Sequence, residues 1–521
     1  MVQSNVANEY SPITGFVFIF NLIVGAGALT IPHSFVQTGL LYGSVLLALL
    51  AVTSYITATF VVECIAGVHA LKTLEKAKSE ENVKSSFRVS DHTKEKRSES
   101  PGLNHDEAVP LLVESKEEGS TAAHLDGKNC IFDISDKTEL AQLAQRLFNR
   151  QGLHAFSACV VIYLYGDLAI YAVAVPKSLR EMICPRPSRE SVWVCYGSLD
   201  SYQVYQIFVI AFAVIFGAFA MGDVQKTKLM QLITTIIRHT SFGLMIVLAI
   251  IGIIQHQGRS LKQVLAYEDP TEISTFLGVC IYSFMCHHSI PGLVAPIANK
   301  KKVRKVLLGA FLAVFIVYII LCGTAAFRFT PEEIHDVYTL NFLDHHTPRI
   351  EAYFLNLFPV FTLSANFPLI AITLRENLMS LFQERTLGTS TAVEGDCGVD
   401  APSRASGKRY YYGLAALIPP VLIAFFTEDV ALLVGITGAY AGLGIQWIVP
   451  TCLVFALRQQ LDQVKLSQAG AFLMENSDVN PQAPLSTHNP FSSPFHHKAW
   501  VYSVLALSIV FLVLITVIRL I

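Results

Sequence analysis

Three stretches of this 521-residue chain carry polar groups that could handle a small charged solute, and each lies inside an apolar run. The first is FNLIVGAGALTIP, Phe20 to Pro32. There Asn21, Gly25, Gly27 and Pro32 interrupt a segment without any Asp, Glu, Lys or Arg between Tyr10 and Val62. The second is YSFMCHHSIPGLVAP, Tyr282 to Pro296, with His287, His288, Pro291 and Gly292 near its middle. The third is Asp167, which follows Tyr163, Tyr165 and Gly166 in YLYGDLAIYAVAVP. Glycine lets backbone approach a bound molecule without a side-chain clash. A helix that unwinds frees N–H groups able to hold a carboxylate and C=O groups able to hold a cation or an ammonium group. The half-helix dipoles reinforce both. Carboxyl and imidazole groups at such a place can also take up and release protons.

The elements that must position these groups are membrane helices. Hydrophobic residues make up 52% of the chain and charged residues only 15%, and the mean hydropathy is +0.48. With many uncharged runs near twenty residues, this is the pattern of an all-α polytopic membrane protein. Lipid offers backbone groups no partners, so each span must be a helix. Eleven spans are expected, at 12–38, 42–66, 152–176, 204–222, 229–255, 272–298, 306–326, 351–374, 410–426, 430–455 and 500–520. QTGLLYG, Gln37 to Gly43, is the turn between the first two. The resulting organisation is 1–66 for the first two helices, 67–150 for a loop, 151–455 for the remaining core, 456–499 for a second loop and 500–521 for the eleventh helix. A net charge of -2 suggests no nucleic-acid partner, and the first apolar run is too long and lacks the basic start of a cleavable signal.

With the N-terminus in the cytosol, the short inner loops hold fifteen Lys and Arg against nine on the outer side, leaving out 67–150. The bias places the N-terminus in the cytosol and the C-terminus in the lumen or outside the cell. Residues 72–128 are rich in Ser, Glu and Lys and are expected to be disordered. They are followed by DKTELAQLAQRLF, whose Leu140, Leu143, Leu147 and Phe148 share one helical face, with Asp136 as N-cap and Glu139 three later. That helix is expected to lie on the membrane surface. Within the loop, DEAVPLL presents Glu107, Leu111 and Leu112 in the acidic dileucine pattern read by sorting adaptors of endosomes and lysosomes. The plasma membrane is the other destination. Cys184 and Cys195 in the outer segment 177–203 are a candidate disulfide. No cysteine spacing suggests a metal or cluster site.

The breaks at Val24, Gly25, Ala26 and Gly27 and at Phe284 to Pro291 fall five spans apart. Two interrupted helices at matching positions are what a five-plus-five inverted repeat with one appended helix produces, with substrate bound between them. Tight packing through small residues is the competing use of Gly25 and Gly27. Asp167 has two readings: a proton carrier, or a fixed charge paired with Arg238, the one basic residue placed inside a span. His287 and His288 likewise either couple protons or pack neutral. Glu63 is read as an interfacial charge. GAGALT lacks the elements of a nucleotide loop, and no HExxH or GxSxG pattern suggests an enzyme.

NLIVGAGALTIP resembles the first helix of the amino acid/auxin permease group within the amino acid–polyamine–organocation superfamily. Together with YLYGDLAIYAVAVP, DVQKTK, NFPLIAITLREN, LVGITGAYAGLGIQWIVP and SSPFHH, it resembles the transmembrane protein 104 family. The resemblance implies a leucine-transporter-like fold. In sodium-coupled relatives an Asn matching Asn21, with Ser or Thr of the eighth helix, is implicated in sodium binding. That makes Asn21, Thr362 and Ser364, with backbone carbonyls of the first span, the cation candidates, although Asn366 stands where a small hydroxyl residue is more usual. CHHSIP also departs from the Cys-His-Pro common there.

The expected function is secondary active transport of amino acids or similar small zwitterions by alternating access. The substrate carboxylate would take N–H groups of the first break; Tyr163, Phe284, His287 and Thr437 would line the rest. The coupling species would be Na+ at Asn21, Thr362 and Ser364, or H+ on Asp167, with no other cofactor. The alternative is a transporter-shaped nutrient sensor or membrane scaffold acting through its cytosolic loop.

Overall fold

The computed structural model describes residues 9–95, 131–135, 138–184, 194–196, 199–221, 228–343, 349–387, 402–474 and 489–520. The helices are α1 (Pro12–Ile23), α2 (Gly27–Thr38), α3 (Leu40–Glu95), α4 (Leu140–Leu147), α5 (Arg150–Ile183), α6 (Ser201–Met221), α7 (Lys228–Gly252), α8 (Leu261–Ala266), α9 (Ile273–Ser283) and α10 (Ile290–Val294). They continue with α11 (Val303–Arg328), α12 (Arg349–Leu387), α13 (Pro402–Phe426), α14 (Val430–Thr437), α15 (Val449–Met474) and α16 (Lys498–Leu520). A two-stranded ribbon, β1 (Val194–Tyr196) with β2 (Leu199–Asp200), precedes α6.

All eleven predicted spans fall on helices. Eight helices among the described residues are long and apolar enough to cross a bilayer, and α1 with α2 makes a ninth as one span bent by 57°. The sixth span is divided into α9 and α10, each too short to cross alone. The ninth is shorter in its apolar part, Tyr410–Phe426. The chain is an all-α polytopic membrane protein with the leucine-transporter-like order of helices: two five-helix repeats, each with its first helix broken, and α16 appended.

Two boundaries and the setting of one helix differ from expectation. The helix α3 does not stop near residue 66 but runs 56 residues to Glu95, roughly 80 Å at about 1.5 Å per residue. That carries it well beyond a hydrocarbon core of about 30 Å. KTLEKAKSEEN is polar yet rich in good helix formers, so an established helix can propagate through it. Similarly, α15 continues to Met474 rather than ending near 455. Finally, α4 is not spread on a membrane surface. Its Leu140, Leu143, Ala144 and Leu147 are buried against α3, α5 and α15, because those helices offer a larger apolar surface than a lipid headgroup layer. Its N-cap is Glu139, whose N–H donates to the Gln142 side chain at 3.3 Å; Asp136 lies outside the described residues. The sorting residues Glu107, Leu111 and Leu112 lie outside them too.

Polar networks close both ends of the bundle. On the face where α1 begins, Arg458 of α15 donates to both oxygens of Glu63 of α3 at 2.8 Å, and the Ser493 N–H joins at 2.8 Å. Glu63 is therefore a buried structural anchor, not an interfacial charge. On the opposite face Lys177 donates to both Asp336 oxygens at 2.7 and 2.8 Å and to the Glu428 carbonyl at 2.8 Å. Arg180 pairs with Glu181 and Glu428. Cationic side chains at the C-terminal end of α5 also suit its dipole. Burial pushes the Asp336 carboxyl up, but Lys177 and the Val430 N–H outweigh this and hold it below the usual carboxylate range. Beside this network Cys184 and Cys195 form a disulfide.

Candidate functional site

The first break is local in cause. The last turn of α1 closes with Val24 N–H on Phe20 O at 3.0 Å, and Gly25 N–H then folds back on Ile23 O at 2.8 Å. The next bonds, Ala28 N–H to Gly25 O and Leu29 N–H to Ala26 O, start α2. The amides of Ala26 and Gly27 belong to neither set. Gly27 is needed here for proximity: a Cβ on it would lie 2.4 Å from Ser283 Oγ and 2.7 Å from Ser283 Cα. The end of α9 thus presses directly on the first break. Gly25 has no such neighbour.

Ser283 begins the second break, where α9 gives way to a non-helical stretch before Ile290. One side chain ties the two breaks together. The Tyr318 hydroxyl of α11 donates to Ile23 O at 3.2 Å and Ser283 O at 3.1 Å. Nothing in the sequence marked Tyr318 out, because its role depends on α11 crossing both breaks.

The two histidines part company. His287 is fully buried and its Nε2 meets Thr57 Oγ1 at 2.9 Å and Ser54 O at 3.0 Å in α3. His288 is exposed, with its ring 5.9 Å from that of Tyr163. Phe284 is also buried away from α5, its ring 5.4 Å from Tyr318 and 6.5 Å from Phe311. Of the substrate residues expected from sequence, His287 and Phe284 therefore face α3 and α11, while Tyr163 meets the break through its neighbour His288.

Around Tyr163 the structure assembles a cluster. Tyr163 and Tyr282 lie 6.1 Å apart by ring centre, and the Tyr282 hydroxyl donates to Asp167. Thr437 packs on Gly166: a Cβ there would be 2.2 Å from Thr437 Oγ1. Beyond Thr437 the tenth span widens into π-helical turns at Gly438–Gly442 and Gly444–Ile448, a departure common at functional sites. Tyr163, Asp167, Tyr282 and Thr437 each keep 6–7% of their surface accessible, less than His288 but more than the sealed core. Asp167 makes no ion pair among the described residues. Tyr282 and His288 are the members that the sequence reading did not place among the substrate residues. Their proximity to Asp167 and Tyr163 is a tertiary contact between segments far apart in the chain.

Arg238 does not hold Asp167. Its Nη1 donates to Asn21 O at 2.8 Å and Val24 O at 2.9 Å, carbonyls of the first break. The Asn21 amide oxygen and the Thr362 and Ser364 hydroxyls are buried without hydrogen-bond partners among the described residues. Asn366 lies within hydrogen-bonding reach of Tyr171, one turn beyond Asp167 on α5.

Broken first and sixth spans lie beside a buried carboxyl, and the chain is similar to known proteins. The family model for transmembrane amino acid transporter protein matches residues 8–79 and 136–468. Transmembrane protein 104 of Mus musculus and of Homo sapiens are each 37% identical over 517 residues, covering 95% of this chain and 94% of theirs. The chain belongs to the transmembrane protein 104 family. The transmembrane protein 104 homolog of Drosophila melanogaster is 35% identical over 542 residues, covering 98% of this chain and 97% of its own. The relatives cover nearly the whole chain, and the family model spans both broken helices.

Proposed function

We propose that this protein is a secondary active transporter of amino acids or similar small zwitterions, coupled to protons through Asp167. The observation that carries the reading is the meeting of a broken first helix, a broken sixth helix and an unpaired carboxyl at one point. The free amides near Ala26 and Gly27 offer donors for a substrate carboxylate. Tyr163, Tyr282, His288 and Thr437 border the same space and limit solute size. Asp167 accepts from the Tyr282 hydroxyl, has Tyr163 and Tyr171 as electrostatic neighbours and pairs with no cation among the described residues, so it is free to exchange a proton as the site opens to one side and then the other. With the N-terminus cytosolic, the Lys177–Asp336 and Arg180–Glu428 pairs close the outer mouth and Glu63–Arg458 closes the inner one. Alternating access requires that they open in turn.

The test is uptake of a labelled amino-acid mixture by cells expressing the Leu111→Ala/Leu112→Ala protein at the surface, at acidic and neutral outside pH. Uptake stimulated by acid, and no longer pH-dependent in Asp167→Asn, supports the reading. Absence of uptake from surface-resident protein at either pH refutes it. One feature favours the sensor or scaffold alternative, namely the projection of α3 far past the bilayer. Solute-dependent capture of a partner by residues 67–150, without flux, would establish that reading instead. The endosomal or lysosomal membrane is the proposed location, reached through an adaptor that reads Glu107, Leu111 and Leu112.

A further inference from the structure

A helix that ends inside a membrane leaves carbonyl oxygens at its C-terminus without amide partners, and lipid cannot supply any. The end of α1 shows where four of them go. Phe20 O accepts from Val24 N–H at 3.0 Å. Ile23 O accepts from Gly25 N–H at 2.8 Å and from the Tyr318 hydroxyl at 3.2 Å. Asn21 O and Val24 O both accept from one nitrogen, Nη1 of Arg238. These two oxygens, three residues apart at the negative end of a half-helix, form a cation-binding pair, and the chain fills it with its own guanidinium.

We propose that Arg238 is a resident cation of the first break: a side chain tethered to α7 takes the carbonyl oxygens a mobile coupling ion would need, so the protein works without sodium. This inference deepens the transporter reading and rests on it only for the word coupling. A nitrogen within 2.9 Å of both oxygens leaves a metal ion no room to bind the same pair. The other oxygens expected to complete such a site, Asn21 Oδ1, Thr362 Oγ1 and Ser364 Oγ, remain buried and without partners; Arg238 makes no bond to them, and no carboxylate among the described residues pairs with it. Its electrostatic neighbours are the hydroxyls of Tyr171 and Tyr318. A guanidinium stays charged across the physiological pH range. The positive charge at the break is therefore constant, and the variable charge in this part of the molecule is left to Asp167. An Arg side chain inside a span is costly unless it is used, and satisfying two stranded carbonyls is such a use.

The experiment measures thermal unfolding of the purified full-length protein in sodium chloride and in choline chloride at equal ionic strength. The wild type is expected to melt at the same temperature in both. Arg238→Ala, which vacates the carbonyl pair, is expected to gain a saturable rise of a few degrees from sodium or from millimolar guanidinium. Arg238→Lys, which keeps a tethered charge, is expected to stay insensitive. A saturable sodium response in the wild type would overturn the proposal, and this arm decides even if Arg238→Ala does not fold. A folded Arg238→Ala protein indifferent to both cations would overturn it as well. Because these readouts need no flux, failure of uptake in parallel assays would count against the transporter reading alone.

Discussion

Replacing Gly27 by alanine adds one methyl group at the point where the two broken helices touch. The nearest atoms would be Ser283 Oγ at 2.4 Å and Ser283 Cα at 2.7 Å, whereas carbon atoms in contact normally sit about 3.5–4.0 Å apart. Ser283 cannot simply turn aside, because one of the clashing atoms is backbone. Its hydroxyl is committed to Val279 O at 2.7 Å and its carbonyl to Tyr318 at 3.1 Å. The α9 end must therefore retreat by about 1 Å, and overpacking of this kind costs about 1–3 kcal/mol. At about 1.4 kcal/mol per tenfold, that disfavours the closed arrangement of the breaks roughly 5- to 150-fold. Gly25→Ala is the control: its nearest neighbours would be Leu22 O at 3.8 Å and Ile23 O at 3.9 Å, an ordinary contact. Both variants would be measured for thermal unfolding of the purified protein and for solute uptake at matched surface expression. Gly27→Ala should melt several degrees lower and lose most uptake, while Gly25→Ala stays close to wild type. Wild-type behaviour of Gly27→Ala, or equal damage from Gly25→Ala, would refute the claim that the two breaks form one packed unit.

Tyr318→Phe removes the hydroxyl shared by Ile23 O and Ser283 O; Ile23 O keeps the Gly25 N–H, so Ser283 O is the group left unmatched, at about 1–3 kcal/mol, and a lowered melting temperature and reduced uptake are expected. Glu63→Ala strands the Arg458 guanidinium and the Ser493 amide, a loss of about 3–5 kcal/mol for a buried pair, nearer the lower end because Arg458 is partly exposed. Thermal unfolding reads this loss, and reactivity of a cysteine placed at Ser493 should rise with it. Because the Asp336 carboxyl is held below its usual range, its contribution is complete above the unfolded value of about 3.9 and is lost only as pH falls through the lower folded one. Acidification to about pH 5 should thus leave the Lys177–Asp336 contact intact, whereas Asp336→Asn should loosen it at every pH; hydrogen exchange at the Val430 amide distinguishes the two.

By itself the sequence determined the class of the molecule and the places where its helices fail. Lipid forces every span to be a helix, so apolar run length located most of them, and glycine, proline and adjacent histidines located the two breaks. Asp167 was legible for the same reason, since a carboxyl in such a run has few bland explanations. Cys184 and Cys195 were legible as a pair because no other cysteines shared their compartment. Direction was not legible. Whether His287 or His288 faces α5, whether Phe284 lines the site or packs on α11, and whether Arg238 reaches Asp167 or the carbonyls of Asn21 and Val24 depend on the rotation of each helix about its axis. Local patterns leave that rotation open in a chain whose spans are apolar on all sides. Nor could the sequence place Tyr318, Tyr282 or the Glu63–Arg458 anchor, whose partners lie tens to hundreds of residues away. The tertiary structure decided these because close packing admits one rotation per helix, set by contacts such as Gly27 on Ser283 and Gly166 on Thr437, and that rotation assigns each polar side chain its neighbour.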